Sequence, residues 1–140
     1  MSILGLDIGT LRIGASGSNE ARIATPLETI PGRPRKAALA RVVELVEERG
    51  VETIVVGLPL ELDGTEGIAV RKIRRFTASI AGALPEMPIV EWDERLTSVA
   101  AESSLIESGM RRKARKQVID QVAAVLILQG YLESLGHDGH

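Results

Sequence analysis

The sequence predicts an α/β sandwich built on a mixed five-stranded sheet, and three observations carry that expectation. Three short apolar runs, Ile3-Leu4-Gly5-Leu6, Thr53-Ile54-Val55-Val56-Gly57-Leu58 and Ile89-Val90-Glu91-Trp92, suit strands buried on both faces. Helical periodicities precede the second run and separate it from the third, and strand–helix–strand succession calls for parallel crossovers. Between the first run and the first helix lie two more strand-like segments joined by short turns, as in an antiparallel meander.

Taken in order, the first strand ends at Asp7-Ile8-Gly9-Thr10, where an acid emerges from an apolar run beside a glycine. Residues 12–18 alternate loosely with small residues and fold back as a second strand. Segment 23–30 reads as a third, confined to an edge by Pro26. After the break at Pro31-Gly32-Arg33-Pro34, Leu39, Val42, Val43 and Val46 mark a helix over 35–49, ended by Gly50. The strand 53–58 leads into a glycine-containing loop, 59–67. The next helix carries Ile73, Phe76, Ile80 and Leu84 on one stripe, with Arg71, Lys72, Arg74 and Arg75 off it. The last strand runs into Asp93-Glu94-Arg95. A helix starting at Thr97 or Ser98 is expected to reach about residue 108, then a basic connector over 109–116 and a final helix over 117–135. Residues 1–135 are expected to form one domain and 136–140 a disordered tail.

Composition narrows the chemistry. With no cysteine among 140 residues there is no disulfide, thiolate metal site or cysteine nucleophile. Both histidines, His137 and His140, lie in the terminal stretch, which disfavours a histidine base or a zinc site. Aromatic residues make up 2%, too few for base stacking to be the main grip on nucleic acid. The net charge of −2 argues against a general nucleic-acid coat, so any such partner would need a local basic patch. No apolar run approaches a membrane span, and no basic segment leads into one, so a cytoplasmic protein is expected.

Three acid positions stand out. Asp7 closes the first strand and Asp93-Glu94 the last, so they share the edge where sites of such sheets lie. Asp120 interrupts an apolar helix, where a carboxylate needs an arginine, a helix N-terminus or a cation to offset its burial. Each has a plainer meaning: a strand-end polar residue for Asp7, a helix-dipole partner for Asp120. Converging acids without histidine or cysteine suit hard divalent cations, one or two Mg²⁺ or Mn²⁺ ions, which can activate water for phosphodiester hydrolysis. Gly9 would let another backbone or a phosphate approach Asp7. Arg111, Arg112, Lys113, Arg115 and Lys116 form a solvated loop or a patch able to hold a phosphate backbone.

These residues also resemble a known family. Leu6-Asp7-Ile8-Gly9-Thr10 with Arg12-Ile13-Gly14-Ala15, Ile54-Val55-Val56-Gly57-Leu58-Pro59-Leu60 with Asp63-Gly64-Thr65, Trp92-Asp93-Glu94-Arg95-Leu96-Thr97, and Ile119-Asp120-Gln121-Val122-Ala123-Ala124 with Ile127-Leu128-Gln129 are similar to the blocks of the YqgF (RuvX) family. The resemblance implies an RNase H-like fold with strand order 3-2-1-4-5. It also implies a metal-dependent nuclease maturing the 5′ end of pre-16S rRNA, or a resolvase of branched DNA. Asp7, Glu94 and Asp120 would be catalytic metal ligands, with Asp93 as the alternate to Glu94. Arg12, Arg95 and the 111–116 cluster would hold nucleic acid, RNA favoured, with Gly9 and Gly64 giving the substrate close approach. Two departures stand against the pattern. Ser18-Asn19 replaces the family's usual Ser-Asp, and the strand ending Gly57-Leu58-Pro59 lacks the acid that related resolvases carry there. Asp-Ile-Gly-Thr also resembles the phosphate-binding turn of actin-like and sugar-kinase ATPases, which need two such domains. A non-catalytic ribosome-assembly factor on the same fold would spare its function when the acids are mutated. A monomer or weak homodimer is expected.

Overall fold

Strand parity and helical periodicity produce the expected architecture. β1 (Ile3–Ile8), β2 (Arg12–Ser18) and β3 (Ala24–Pro31) form the meander, α1 (Arg35–Arg49) leads to β4 (Thr53–Leu58), and α2 (Ile68–Ala83) leads to β5 (Ile89–Asp93). A 3₁₀ turn over Glu94–Leu96 follows, and α3 (Arg112–Asp138) closes the chain. The structure, a computed structural model, describes residues 2–20, 22–60, 66–96 and 112–138. The sheet order is β3-β2-β1-β4-β5, with β1–β4 and β4–β5 parallel and the meander antiparallel. β3 is an edge, and its Pro26 sits opposite Ser16 where the register shifts, so the missing N–H falls at an irregularity. Gly50 ends α1 in the left-handed conformation at φ 60°, donating its N–H to the Val46 carbonyl.

Because side chains alternate along a strand, the sheet divides the core in two. Leu4, Leu6, Ile54 and Val56 pack on one face against Val42 and Leu45 of α1 and Ile73, Phe76 and Ile80 of α2. Ile3 and Val55 point the other way, against Ile127, Leu128 and Leu132 of α3. Of the periodic residues, Val42 and Val46 of α1 and Ile73, Phe76 and Ile80 of α2 are buried, whereas Leu39, Val43 and Leu84 are only partly so, and Ala38, Leu45 and Val70 complete the buried stripes.

α3 lies close on its face because the sheet offers glycines there. A Cβ at Gly5 would come within 2.5 Å of Ser16 Oγ and 2.8 Å of Leu128 Cβ, and one at Gly57 would collide with Ile127 Cδ1. The Ser16 hydroxyl, fully buried, donates 2.7 Å to the Ala124 carbonyl. Gln121 Nε2 donates 3.1 Å to Thr29 Oγ1, and the Ala24 N–H donates 2.9 Å to Gln129 Oε1. Three polar ties therefore fix the helix against β2 and β3, where each buried group left alone would cost about 1–3 kcal/mol.

The structure corrects three expected boundaries. α3 begins at Arg112, so positions 112–116 are helical rather than a connector, and it runs to Asp138 rather than stopping at residue 135. Asp120 is accordingly the ninth residue of α3. Helix-dipole stabilisation fades within the first turn, so that account of its charge is weak. The third strand begins at Ala24 rather than residue 23. The expected helix over 97–108, Gly64 with most of the 59–67 loop, Arg111 and the tail residues 139–140 lie outside the described residues.

The close seating of α3 predicts a graded response to added methyl groups. Gly5→Ala meets helix backbone and Cβ atoms that cannot turn aside, so it should cost about 2–3 kcal/mol in urea unfolding. Gly57→Ala meets mainly the mobile end of Ile127 and should cost less.

Candidate active site

β1 alternates Ile3, Gly5 and Asp7 toward α3, and Leu4, Leu6 and Ile8 toward α1 and α2. Asp7 is therefore a half-buried carboxylate on the α3 face, one residue short of the strand end, paired with Gly14 of β2. Gly14 in turn pairs with Thr29 of β3, the residue that holds Gln121. The backbone of α3 at positions 120–121 thus passes over the sheet row that contains Asp7. An independent step count agrees. Gly5 contacts both Leu128 and Ala124, and two strand residues advance about 6.7 Å while four helical residues advance about 6 Å, so Asp7 faces the turn of α3 just before Ala124. The Asp120 side chain, like those of Arg95, Arg112, Lys113, Arg115 and Lys116, lies outside the described residues.

Parity also separates Asp93 from Glu94. Val90 and Trp92 belong to the α3 face, whereas Glu91 turns the other way and accepts hydrogen bonds from Arg74 of α2. Asp93 follows Glu91. Glu94 opens the 3₁₀ turn, with its Cγ 3.2 Å from the space a Gly57 Cβ would fill and Ile127 beside it, on the α3 face with Asp7. Its carboxyl is pushed up to about 7, first by burial, then by the charges of Asp7 and Asp93. Among the described residues, no group of three histidines, cysteines or acids stands ready to hold a metal ion. The described part of the site is a pair, Asp7 and Glu94, with Asp93 in electrostatic reach.

Such a donor set fits a hard divalent cation: its atoms are carboxylate oxygens, and the burial and then the neighbouring charges that raise the Glu94 carboxyl are costs a cation would offset. The close approach that Gly9 permits proves to be that of its own turn. Its N–H donates 2.9 Å to the Arg12 carbonyl, and a Cβ there would lie 2.6 Å from the same oxygen. Arg12 opens β2 at the same edge, half-buried and engaged. Sequence reasoning missed Ser16, Thr29 and Gln121, which position α3 over Asp7. A serine at 16 amid Gly14, Ala15 and Gly17 was the available signal, since a polar group inside so small-sided a strand has only a close helix backbone to bond.

Three comparisons bear on the chain. A family model described as RuvX, Holliday junction resolvase, matches residues 1–134. A Chloroflexus aggregans protein named "Putative pre-16S rRNA nuclease" is 50% identical over 134 residues, 95% of this chain and 94% of its own. A protein of the same name from Acetivibrio thermocellus is 44% identical over 138 residues, 97% of this chain and 98% of its own. Among solved structures, a T. thermophilus RuvC in complex with a Holliday junction substrate aligns with a TM-score of 0.65 at 15% identity, covering 98% of this chain and 96% of its own. The yeast mitochondrial Holliday junction resolvase Ydc2 aligns at 0.55 and 12% identity, over 96% of this chain and 80% of its own. At such identities the structural likeness speaks for the fold.

The Glu94 carboxyl sets a pH dependence of stability in the absence of metal. Raised to about 7 from an ordinary 4.5, it binds its proton more tightly folded than unfolded. Its contribution is therefore complete below about pH 4.5 and lost as pH rises through 7. Allowing for partial exposure, the loss is on the order of 2 kcal/mol. Urea titrations in EDTA should show it between pH 5 and pH 8, and Glu94→Gln should remove that slope and be the more stable protein at pH 8.

Proposed function

The chain belongs to the RuvX family, and on that footing we propose that it is a nuclease hydrolysing phosphodiester bonds at the edge where Asp7 and Glu94 meet beneath α3. The observation that carries the reading is this meeting: two acids from distant segments share one half-buried face, and a divalent cation would both offset their repulsion and serve phosphate chemistry. Asp7 and Glu94 would hold the ion, Mg²⁺ or Mn²⁺, with Asp120 as third ligand. Asp93 acts at longer range, from the opposite face parity. A bound divalent ion supplies positive charge to the phosphate oxygens and acidifies water.

The chain's own residues do the rest. Asp7 on the central strand fixes one donor rigidly, because its neighbours on both sides are hydrogen-bonded strands. Glu94, with a carboxyl near 7, must give up its proton before it can ligate, and that couples cation binding to pH. Ile127 packs against Gly57 beside Glu94 and closes that carboxyl off from the core side. Arg12, Arg95 and the cations at 111–116 would steer the phosphate backbone to that edge.

The substrate we favour is the 5′ region of pre-16S rRNA, supported by the names of relatives that match this chain nearly end to end. That task would place the protein in the cytoplasm. Among the described residues no helix is long and apolar enough to cross a membrane. The family's description favours a second reading, cleavage of a four-way DNA junction, which would require a two-fold dimer to cut both strands.

The test compares a labelled pre-16S 5′-leader RNA with a four-way DNA junction, each in EDTA, Mg²⁺ and Mn²⁺. Cutting should need the metal and fall about a thousandfold in Asp7→Asn and in Glu94→Gln, the scale of losing one transition-state stabiliser. Binding in EDTA should survive both substitutions. Metal-independent cutting, or full activity in either variant, would refute the assignment.

A further inference from the structure

On the other face of the sheet, at the same edge, a cavity of about 300 Å³ opens between the β1–β2 turn, the segment before α1, and α2. Its walls carry four cations, Arg33, Arg35, Lys72 and Arg75, with the hydroxyl residues Thr10 and Ser79 and with Phe76 as an apolar side. No acid lines it. In a protein of net charge −2, this is a concentration of positive charge that composition alone would not suggest.

The arrangement is built rather than incidental. Lys72, Arg75 and Ser79 recur at i, i+3 and i+7 and so share one side of α2. The neighbouring Arg74, on a different side, is neutralised by Glu66 and Glu91. Among the described residues, no acid pairs with Arg33, Lys72 or Arg75. Arg35 is held in place by two contacts. It donates 3.2 Å to the Gly9 carbonyl, and its guanidinium lies 5.1 Å from the Phe76 ring centroid. Arg33 is carried in by Gly32, whose N–H donates 2.8 Å to the Leu11 carbonyl and which packs so tightly that a Cβ would lie 2.7 Å from the Thr10 carbonyl. The first turn of α1, starting at Arg35, contains no acid, so its exposed N–H groups add to the positive field. Four like charges kept together at the mouth of one cavity repel, and an anion bound there would remove that cost.

We propose that this cavity is a phosphate-binding subsite for the nucleic-acid strand, taking a backbone phosphodiester a few nucleotides from the one that is cut. The proposal rests on the nuclease reading and extends it. Thr10 lies three residues beyond Asp7, at most about 11 Å along the chain. A strand bound at Asp7 and Glu94 that continues over the sheet edge reaches the cavity within about three nucleotides. The subsite accepts phosphate and not base identity, since its donors are guanidinium, ammonium and hydroxyl groups suited to phosphate oxygens. It would fix the register of the substrate across the edge.

The experiment measures binding of a labelled single-stranded RNA by fluorescence anisotropy in EDTA, across a series of salt concentrations, so that cutting plays no part. Lys72→Ala/Arg75→Ala should weaken binding about tenfold and make the slope of log affinity against log salt shallower by about 1.4, the share of two single-strand phosphate contacts. Arg71→Ala, also an exposed cation of α2 but outside the cavity, should bind within about twofold of the parent. Circular dichroism confirms that the fold is kept. Unchanged affinity and slope in the double variant, or an equal loss in Arg71→Ala, would overturn the subsite. Inorganic phosphate or adenosine monophosphate displacing the RNA as tightly as RNA itself binds would also overturn it, in favour of a small-anion site. The two readings fail separately: full cutting by Asp7→Asn removes the nuclease assignment, whereas parental RNA binding by the double variant removes the subsite alone.

Discussion

The seating of α3 on the sheet is the constraint that organises the molecule. A helix can lie this near a sheet only where side chains are absent, and Gly5 and Gly57 supply that absence on the two central strands. The approach lets Ser16 reach the Ala124 carbonyl, which fixes the height of the helix, while Gln121 and Thr29 fix its position along the strands. Once these are set, the turn of α3 before Ala124 passes over the end of β1, and Ile127 lies beside Glu94. The same contacts that complete the smaller core also gather the acids, so packing and chemistry draw on one arrangement.

The arrangement carries a cost, and the cost is informative. Burial and two neighbouring carboxylates hold the Glu94 carboxyl near neutrality, a state that contributes nothing to stability at physiological pH. Elsewhere the chain disposes of charge economically: Arg41 spans Glu28 and Glu48, and Arg74 spans Glu66 and Glu91. Asp7 and Glu94 meet at one face of the sheet edge, and a group of cations gathers at the other. Together the two clusters suit a ligand that brings both a divalent cation and phosphates.

Much of the fold could be read from sequence because the central strands β1 and β4 are covered on both faces, which forces continuous apolar runs; β5, an edge strand with Glu91 exposed, is not buried on both faces as its run suggested. Asp7 was legible for the same reason, as an acid with no business in such a run. The choice between Asp93 and Glu94 was not, because Val90 and Trp92 are apolar on one face and Ile89 on the other, so composition does not reveal which face holds the site. The start of α3 was hidden by its charge. Arginine and lysine are good helix formers, but a run of them without apolar periodicity looks like a loop. The basic cavity was invisible for a different reason, since Arg33 and Arg35 meet Lys72 and Arg75 only through tertiary packing.

The account stands or falls on Glu94 sharing a cation with Asp7. The measurement is the titration of the Glu94 carboxyl carbon by NMR, in EDTA and again in saturating Mg²⁺. A midpoint near 7 without metal, moved well below the ordinary carboxylate value when Mg²⁺ is present, is the predicted result. A midpoint that stays near 7 in both conditions, or sits near 4.5 in both, would show that no cation is held there.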